Sequence, residues 1–152
     1  MKKILLVCTG NTCRSSMAKG IFEDLIKKEG RTDEISIDSA GTSVYYSEGA
    51  NPYAVSAVKE MGIDISGHKS KQVEEYHVAN SDLILTMTLG HKEILKSKYG
   101  GYSYKIFTLK EYAGKNSDFD IADPFGGSME TYRYTAEEIK DAISDLINHK
   151  KI

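Results

Sequence analysis

The chain has 152 residues, 40% of them hydrophobic, which suits one globular domain over residues 1–152 with a single core. A formal net charge of −2 gives no reason to expect nucleic acid or an anionic membrane as a partner. Its two cysteines, Cys8 and Cys13, share one short stretch and cannot build a secreted disulfide scaffold, and the first apolar run, Ile4 to Cys8, is far short of a signal segment or membrane span, so a reducing cytoplasm is the expected compartment.

Lys2 to Cys8 reads as a buried strand. Arg14 to Glu29 reads as a helix, because Met17, Ile21, Leu25 and Ala18, Phe22, Ile26 form two adjacent stripes at spacing four. Gly30 is its stop. Glu34 to Ala40 alternates like a second strand. Asn51 followed by Pro52 predicts an N-cap and first helical residue, and Met61-Gly62 closes that helix. Asp82 to Thr86 is a third strand, Leu89 to Tyr99 a helix ending at Gly100, and Lys105 to Leu109 a fourth strand. Thr135-Ala-Glu-Glu138 predicts a capping box that opens a last helix, with Ile139, Ala142, Ile143, Leu146 and Ile147 on one face. Strands alternating with helices predict an α/β sandwich with a parallel sheet. In such sheets ligands bind beyond the carboxyl ends of the strands, where the residues after Cys8 lie.

Those residues carry the chemistry. Between strand and helix runs Cys8-Thr9-Gly10-Asn11-Thr12-Cys13-Arg14-Ser15. Loop N–H groups and a helix N-terminus favour an anion, and the Arg14 guanidinium can grip two phosphate oxygens at once. A positive field of this kind favours a thiolate, the reactive form of cysteine. A thiolate that attacks phosphorus needs a partner to protonate the leaving group. Asp123, in Asp123-Pro124-Phe125-Gly126-Gly127, is the best candidate, because a carboxyl beside an apolar wall can hold a proton and later accept one from water. By pattern alone Asp-Pro is also an ordinary turn, and Asp118 and Asp120 compete for the role.

Cys8 to Ser15, Ser39-Ala-Gly-Thr42, Gly62-Ile-Asp-Ile-Ser-Gly-His68 and Asp123-Pro124, in this order and spacing, resemble the low-molecular-weight protein-tyrosine-phosphatase family over essentially the whole chain. The resemblance implies a flavodoxin-like three-layer sandwich: a four-stranded parallel sheet with helices on both faces. It implies Cys8 as nucleophile, Arg14 as phosphoryl binder and Asp123 as general acid. It also implies that Asn11, Ser39 and His68 brace the loop, and that the Ser15 hydroxyl donates to the thiolate and eases its departure from phosphorus.

Departures from the family pattern bear on the substrate. Ser16 stands where a proline is frequent, and Phe125-Gly126 where many members carry paired tyrosines, so phosphorylation there is not carried over. Thr12 stands where many tyrosine-specific members have isoleucine. With Asp123 to Ser128, Met87-Thr88 and Phe107 to Tyr112, it resembles the bacterial members that act on phosphoarginine. A wall hydroxyl can hydrogen-bond a polar guanidinium, whereas isoleucine lines a flat ring. The expected activity is therefore a phosphatase of phosphorylated proteins, phosphoarginine before phosphotyrosine. Phe125 is an apolar wall in either case. Tyr45 and Tyr46 follow Thr42 and are either pocket contacts or surface aromatics.

Cys13 either pairs reversibly with Cys8 on oxidation or packs beneath the loop. Two other classes share parts of this pattern. Thioredoxin-linked arsenate reductases share this fold and relay oxidation through later cysteines, but no cysteine follows Cys13. A phosphate-binding module needs neither a reactive thiol nor a placed carboxyl. His68, His77, His91 and His149 have no ligand spacing, so no metal and no cofactor is expected. His77 and His91 read as solvated surface. A monomer is expected.

Overall fold

The structure, a computed structural model, describes residues 1–149 and 151–152. Four strands, β1 (Lys2–Cys8), β2 (Ile35–Gly41), β3 (Leu83–Thr86) and β4 (Ile106–Thr108), pair in parallel in the order β2-β1-β3-β4. The helices are α1 (Arg14–Lys28), α2 (Pro52–Lys59), α3 (Glu75–Asn80), α4 (Leu89–Lys98), α5 (Leu109–Tyr112) and α6 (Met129–Asn148).

β1 is apolar at every position from Ile4 to Val7 because both its faces are covered. Ile4, Leu6 and Cys8 pack with residues of α1, α2 and α6, whereas Leu5 and Val7 pack with Val78 of α3 and Leu95 of α4. Each such buried side chain contributes about 2 kcal/mol of transfer free energy. The result is the flavodoxin-like sandwich with helices on both faces of the sheet.

β1 neighbours β2 on one side and β3 on the other, so its carboxyl end lies where the strand order reverses. Cys8 is level with Gly41, and Val7 with Thr86. Three connections therefore meet at one edge of the sheet: the loop after Cys8, the chain after Gly41 and the turn at Met87-Thr88. Among the described residues no helix is long and apolar enough to cross a membrane.

The last helix corrects the sequence reading. It begins at Met129, capped by Ser128, whose hydroxyl accepts the Thr131 amide. Thr135 lies inside the helix, and its Oγ1 donates to the Thr131 carbonyl at 2.9 Å. The start was hidden because one apolar side chain, Tyr132, holds the buried face of the first turns. The fourth strand ends early, at Thr108, which opens α5 through a reciprocal box: Thr108 Oγ1 accepts the Glu111 amide and Glu111 Oε1 accepts the Thr108 amide. α3 was not anticipated, because only Val78 of its six residues is buried.

Candidate active site

Asn11 organises the loop after β1. Its φ of 58° lies in the left-handed region, which asparagine tolerates better than most residues. Its side-chain Oδ1 accepts the Lys71 amide at 3.1 Å, which orients the amide group. Nδ2 is then turned to donate to Ser15 Oγ at 2.7 Å and Ser39 Oγ at 3.0 Å. Its own carbonyl accepts from His68 Nε2 at 2.6 Å, so the His68 proton sits on Nε2. Burial pushes the His68 pKa down, against the pull of that carbonyl.

Ser15 Oγ, having accepted from Asn11, lies 2.8 Å from Cys8 Sγ. Its hydroxyl proton therefore faces the sulfur. The Asn11 amide N–H points to the same sulfur at 3.3 Å. Two donors thus converge on Cys8 Sγ.

Arg14, at the first position of α1, is buried. Nη1 donates to the Ile121 carbonyl at 2.9 Å, and Nη2 lies 3.8 Å from Asp123 Oδ2. The other Asp123 oxygen accepts the Phe125 amide at 3.1 Å, the turn hydrogen bond that Asp-Pro sequences favour. Cys8, Arg14 and Asp123 line one cavity of about 210 Å³ with Thr9, Thr12 and Phe125; Gly10 and Cys13 complete it. The cavity is of a size for one phosphoryl group and the start of its substituent.

The rival carboxylates separate from Asp123. Asp120 Oδ1 accepts the Leu89 amide at 2.8 Å and so caps α4, while Asp118 is exposed at a positive φ of 60°. Tyr45 and Tyr46, 92% and 72% exposed, are not among the cavity residues, so the structure does not bring them into the pocket. Their loop is held instead through Ser43 N–H on the Thr9 carbonyl and Val44 N–H on Gln72. Cys13 is buried, and its Sγ lies 3.5 Å from Tyr132 Oη. Burial pushes the Cys13 thiol pKa up, which leaves it protonated beneath the loop. Both cysteines are free.

The structure corrects the reading of two histidines. His77 is half-buried on α3, where its Nδ1 accepts the Glu74 amide. His91 is only 5% exposed; its Nε2 lies 2.7 Å from Thr9 Oγ1 and its Nδ1 2.9 Å from Thr88 Oγ1. Lys71, the Ile121 carbonyl and Gly41 also escaped the sequence reading. A Cβ at Gly41 would meet the Thr9 carbonyl oxygen and stand 2.6 Å from Val44 Cγ2, so glycine lets the two chain segments close up. The glycine itself was visible in Ser39-Ala-Gly-Thr42, but its reason was not.

The chain is similar to known proteins in sequence and in fold. The family model described as low molecular weight phosphotyrosine protein phosphatase matches residues 3–152. A protein-arginine-phosphatase of Bacillus subtilis is 40% identical over 148 residues, covering 97% of this chain and 96% of the relative. A crystal structure of a low molecular weight protein tyrosine phosphatase from T. tengcongensis is 42% identical with a TM-score of 0.91, over 98% of this chain and 99% of that one. The YwlE arginine phosphatase, solved as a cysteine-to-serine mutant with a phosphorylated active-site serine, is 38% identical with a TM-score of 0.90, over 97% of this chain and 94% of that one.

Proposed function

The chain belongs to the low molecular weight phosphotyrosine protein phosphatase family, and from that premise we propose that it dephosphorylates proteins through a phospho-cysteine at Cys8, with phosphoarginine as its preferred group. The observation that carries the reading is the shared cavity of Cys8, Arg14 and Asp123.

In the first step the Cys8 thiolate attacks phosphorus. The S–P bond forms while the P–N bond of phosphoarginine, or the P–O bond of phosphotyrosine, breaks. Asp123 gives its proton to the departing nitrogen or oxygen. Arg14, held at Nη1 by Ile121, turns its remaining N–H groups to the phosphoryl oxygens. In the second step water attacks phosphorus, Asp123 takes the water's proton, and the S–P bond breaks. The Ser15 proton on Sγ stabilises the leaving thiolate.

The Thr12 hydroxyl lines the cavity and suits the N–H-rich guanidinium of phosphoarginine. Among the described residues the one hydrogen-bond partner of Thr12 Oγ1 is Cys13 Sγ at 3.9 Å, too weak a partner to occupy it. The relatives named as arginine phosphatases support this choice. Phosphotyrosine is the second reading, favoured by the T. tengcongensis protein's name and by the exposed Phe125 ring at the rim. In this account one domain spanning residues 1–152 acts as a monomer in a reducing cytoplasm, where Cys8 stays a free thiol.

The test is to quench the protein during turnover of a phosphoarginine peptide and map the phosphate. A label on Cys8, with no turnover by Cys8→Ser, is expected. Turnover surviving in Cys8→Ser would overturn the mechanism.

A further inference from the structure

We propose that His91 is a positioning residue that fixes the Thr9 hydroxyl as a donor to the bound phosphoryl group, an inference that rests on the phosphatase reading above. His91 stands in the first turn of α4, across the sheet edge from the loop, with its ring buried. Each ring nitrogen meets one threonine hydroxyl: Nδ1 that of Thr88 at 2.9 Å, Nε2 that of Thr9 at 2.7 Å.

Counting protons gives the tautomer. Thr88 Oγ1 accepts the backbone N–H of His91 at 3.1 Å as the N-cap of α4. The Thr88 hydroxyl proton has one possible acceptor among the described residues, His91 Nδ1. With Nδ1 accepting, the ring proton is on Nε2 and is donated to Thr9 Oγ1. Thr9 then keeps its own hydroxyl proton, for which no acceptor stands among the described residues, and Thr9 is exposed in the cavity lined by Cys8, Arg14 and Asp123. The incoming phosphoryl oxygens supply that acceptor. A histidine that only capped α4 would need no second bond to a cavity hydroxyl. Burial and the nearby Arg14 charge keep the ring neutral, as the tautomer requires.

The first turn of α4 and the residues just before it also hold the acid-bearing segment. Leu89 N–H donates to Asp120, and Ile121 N–H to the Met87 carbonyl, each at 2.8 Å. His91 and the Asp120–Ile121 segment are thus anchored on the same short stretch from Met87 to His91.

The experiment is calorimetric titration of inorganic phosphate into Cys8→Ser protein, which needs no turnover, alongside kcat/KM on a phosphopeptide in the Cys8 protein. Thr9→Val and His91→Leu are each expected to weaken phosphate binding about tenfold, the effect of losing a hydrogen bond to a charged group. Thr9→Ser and His91→Gln, whose amide N–H can reach the Nε2 position, are expected to stay within about threefold. The double variant Thr9→Val with His91→Leu is expected to bind no worse than the weaker single variant. If His91→Leu does not fold, Thr9→Val with His91→Gln replaces it, and the glutamine is then expected to be silent.

Phosphate binding unchanged in Thr9→Val, or losses that multiply in the double variant, would overturn the proposal. A phosphate series as expected, in a protein that turns over no phosphopeptide, would sink the phosphatase reading and leave the Thr9–His91 link standing.

Discussion

Ser15 Oγ lies 2.8 Å from Cys8 Sγ, and the Asn11 side-chain Nδ2 donates to the same oxygen at 2.7 Å. The serine proton has one direction left, toward sulfur. The bond matters most when sulfur leaves phosphorus, because the charge then returns to Sγ. Ser15→Ala is therefore expected to slow hydrolysis of the phospho-enzyme about 100-fold while attack on substrate slows much less. Stopped-flow traces would show a burst followed by a slow steady state. Equal slowing of both phases would contradict this role.

Asp123→Ala is expected to lower kcat/KM at neutral pH on the order of 100-fold. The loss should shrink toward unity with a leaving group that needs no proton, such as a nitrophenolate. Asp120→Ala, which removes the Leu89 contact and not the acid, is expected to keep the normal leaving-group dependence. A loss under threefold for Asp123→Ala on a peptide would remove it as the acid.

Gly41→Ala tests the seam between β2 and the phosphate loop. The new methyl would meet the Thr9 carbonyl oxygen and Val44 Cγ2, so the loop must shift. Overpacking of this kind costs about 1–3 kcal/mol, and the displaced loop is expected to lower kcat/KM about tenfold. Urea melts and kinetics on the same variant check both. Unchanged activity would show that the loop does not depend on this close approach.

Acid sensitivity follows from His91. Burial, with Arg14 adding to it, lowers its pKa from 6.5 to about 4. Between those values the unfolded chain binds a proton that the folded one does not, so stability rises with pH and is lost as pH falls from 6.5 toward 4. The full effect is about 3 kcal/mol, and His68, also lowered by burial, acts in the same direction. His91→Gln is expected to lose about 2 kcal/mol less than the parent between pH 7 and ~4.5 in urea melts. Parallel losses would contradict a buried neutral His91.

Two stretches with the same Thr-x-x-Glu pattern show where the sequence misleads. Thr108 to Glu111 forms a capping box, whereas Thr135 to Glu138 lies within α6. The pattern is identical; what differs is the chain before it, which is strand at Thr108 and helix at Thr135. A box decides a helix start only when the preceding turn is not already helical.

The phosphate loop was legible because its working residues are consecutive and each has a local reason to be there. Asp123 needed the family resemblance to be separated from Asp118 and Asp120. His91, Lys71 and the Ile121 carbonyl reach the loop from 82, 60 and 107 residues away in sequence. Their roles exist only once β1 and β3 pair, the Lys71 segment docks on Gly41 and the segment carrying Ile121 docks on Met87, so no local spacing could reveal them.

The most direct measurement is kcat/KM on a phosphoarginine peptide and a phosphotyrosine peptide of the same sequence, for the parent protein and Thr12→Ile. The account predicts a strong preference for phosphoarginine that Thr12→Ile reduces or reverses. A preference for phosphotyrosine in the parent protein would contradict the substrate assignment and leave Thr12 a tolerated substitution in a tyrosine phosphatase.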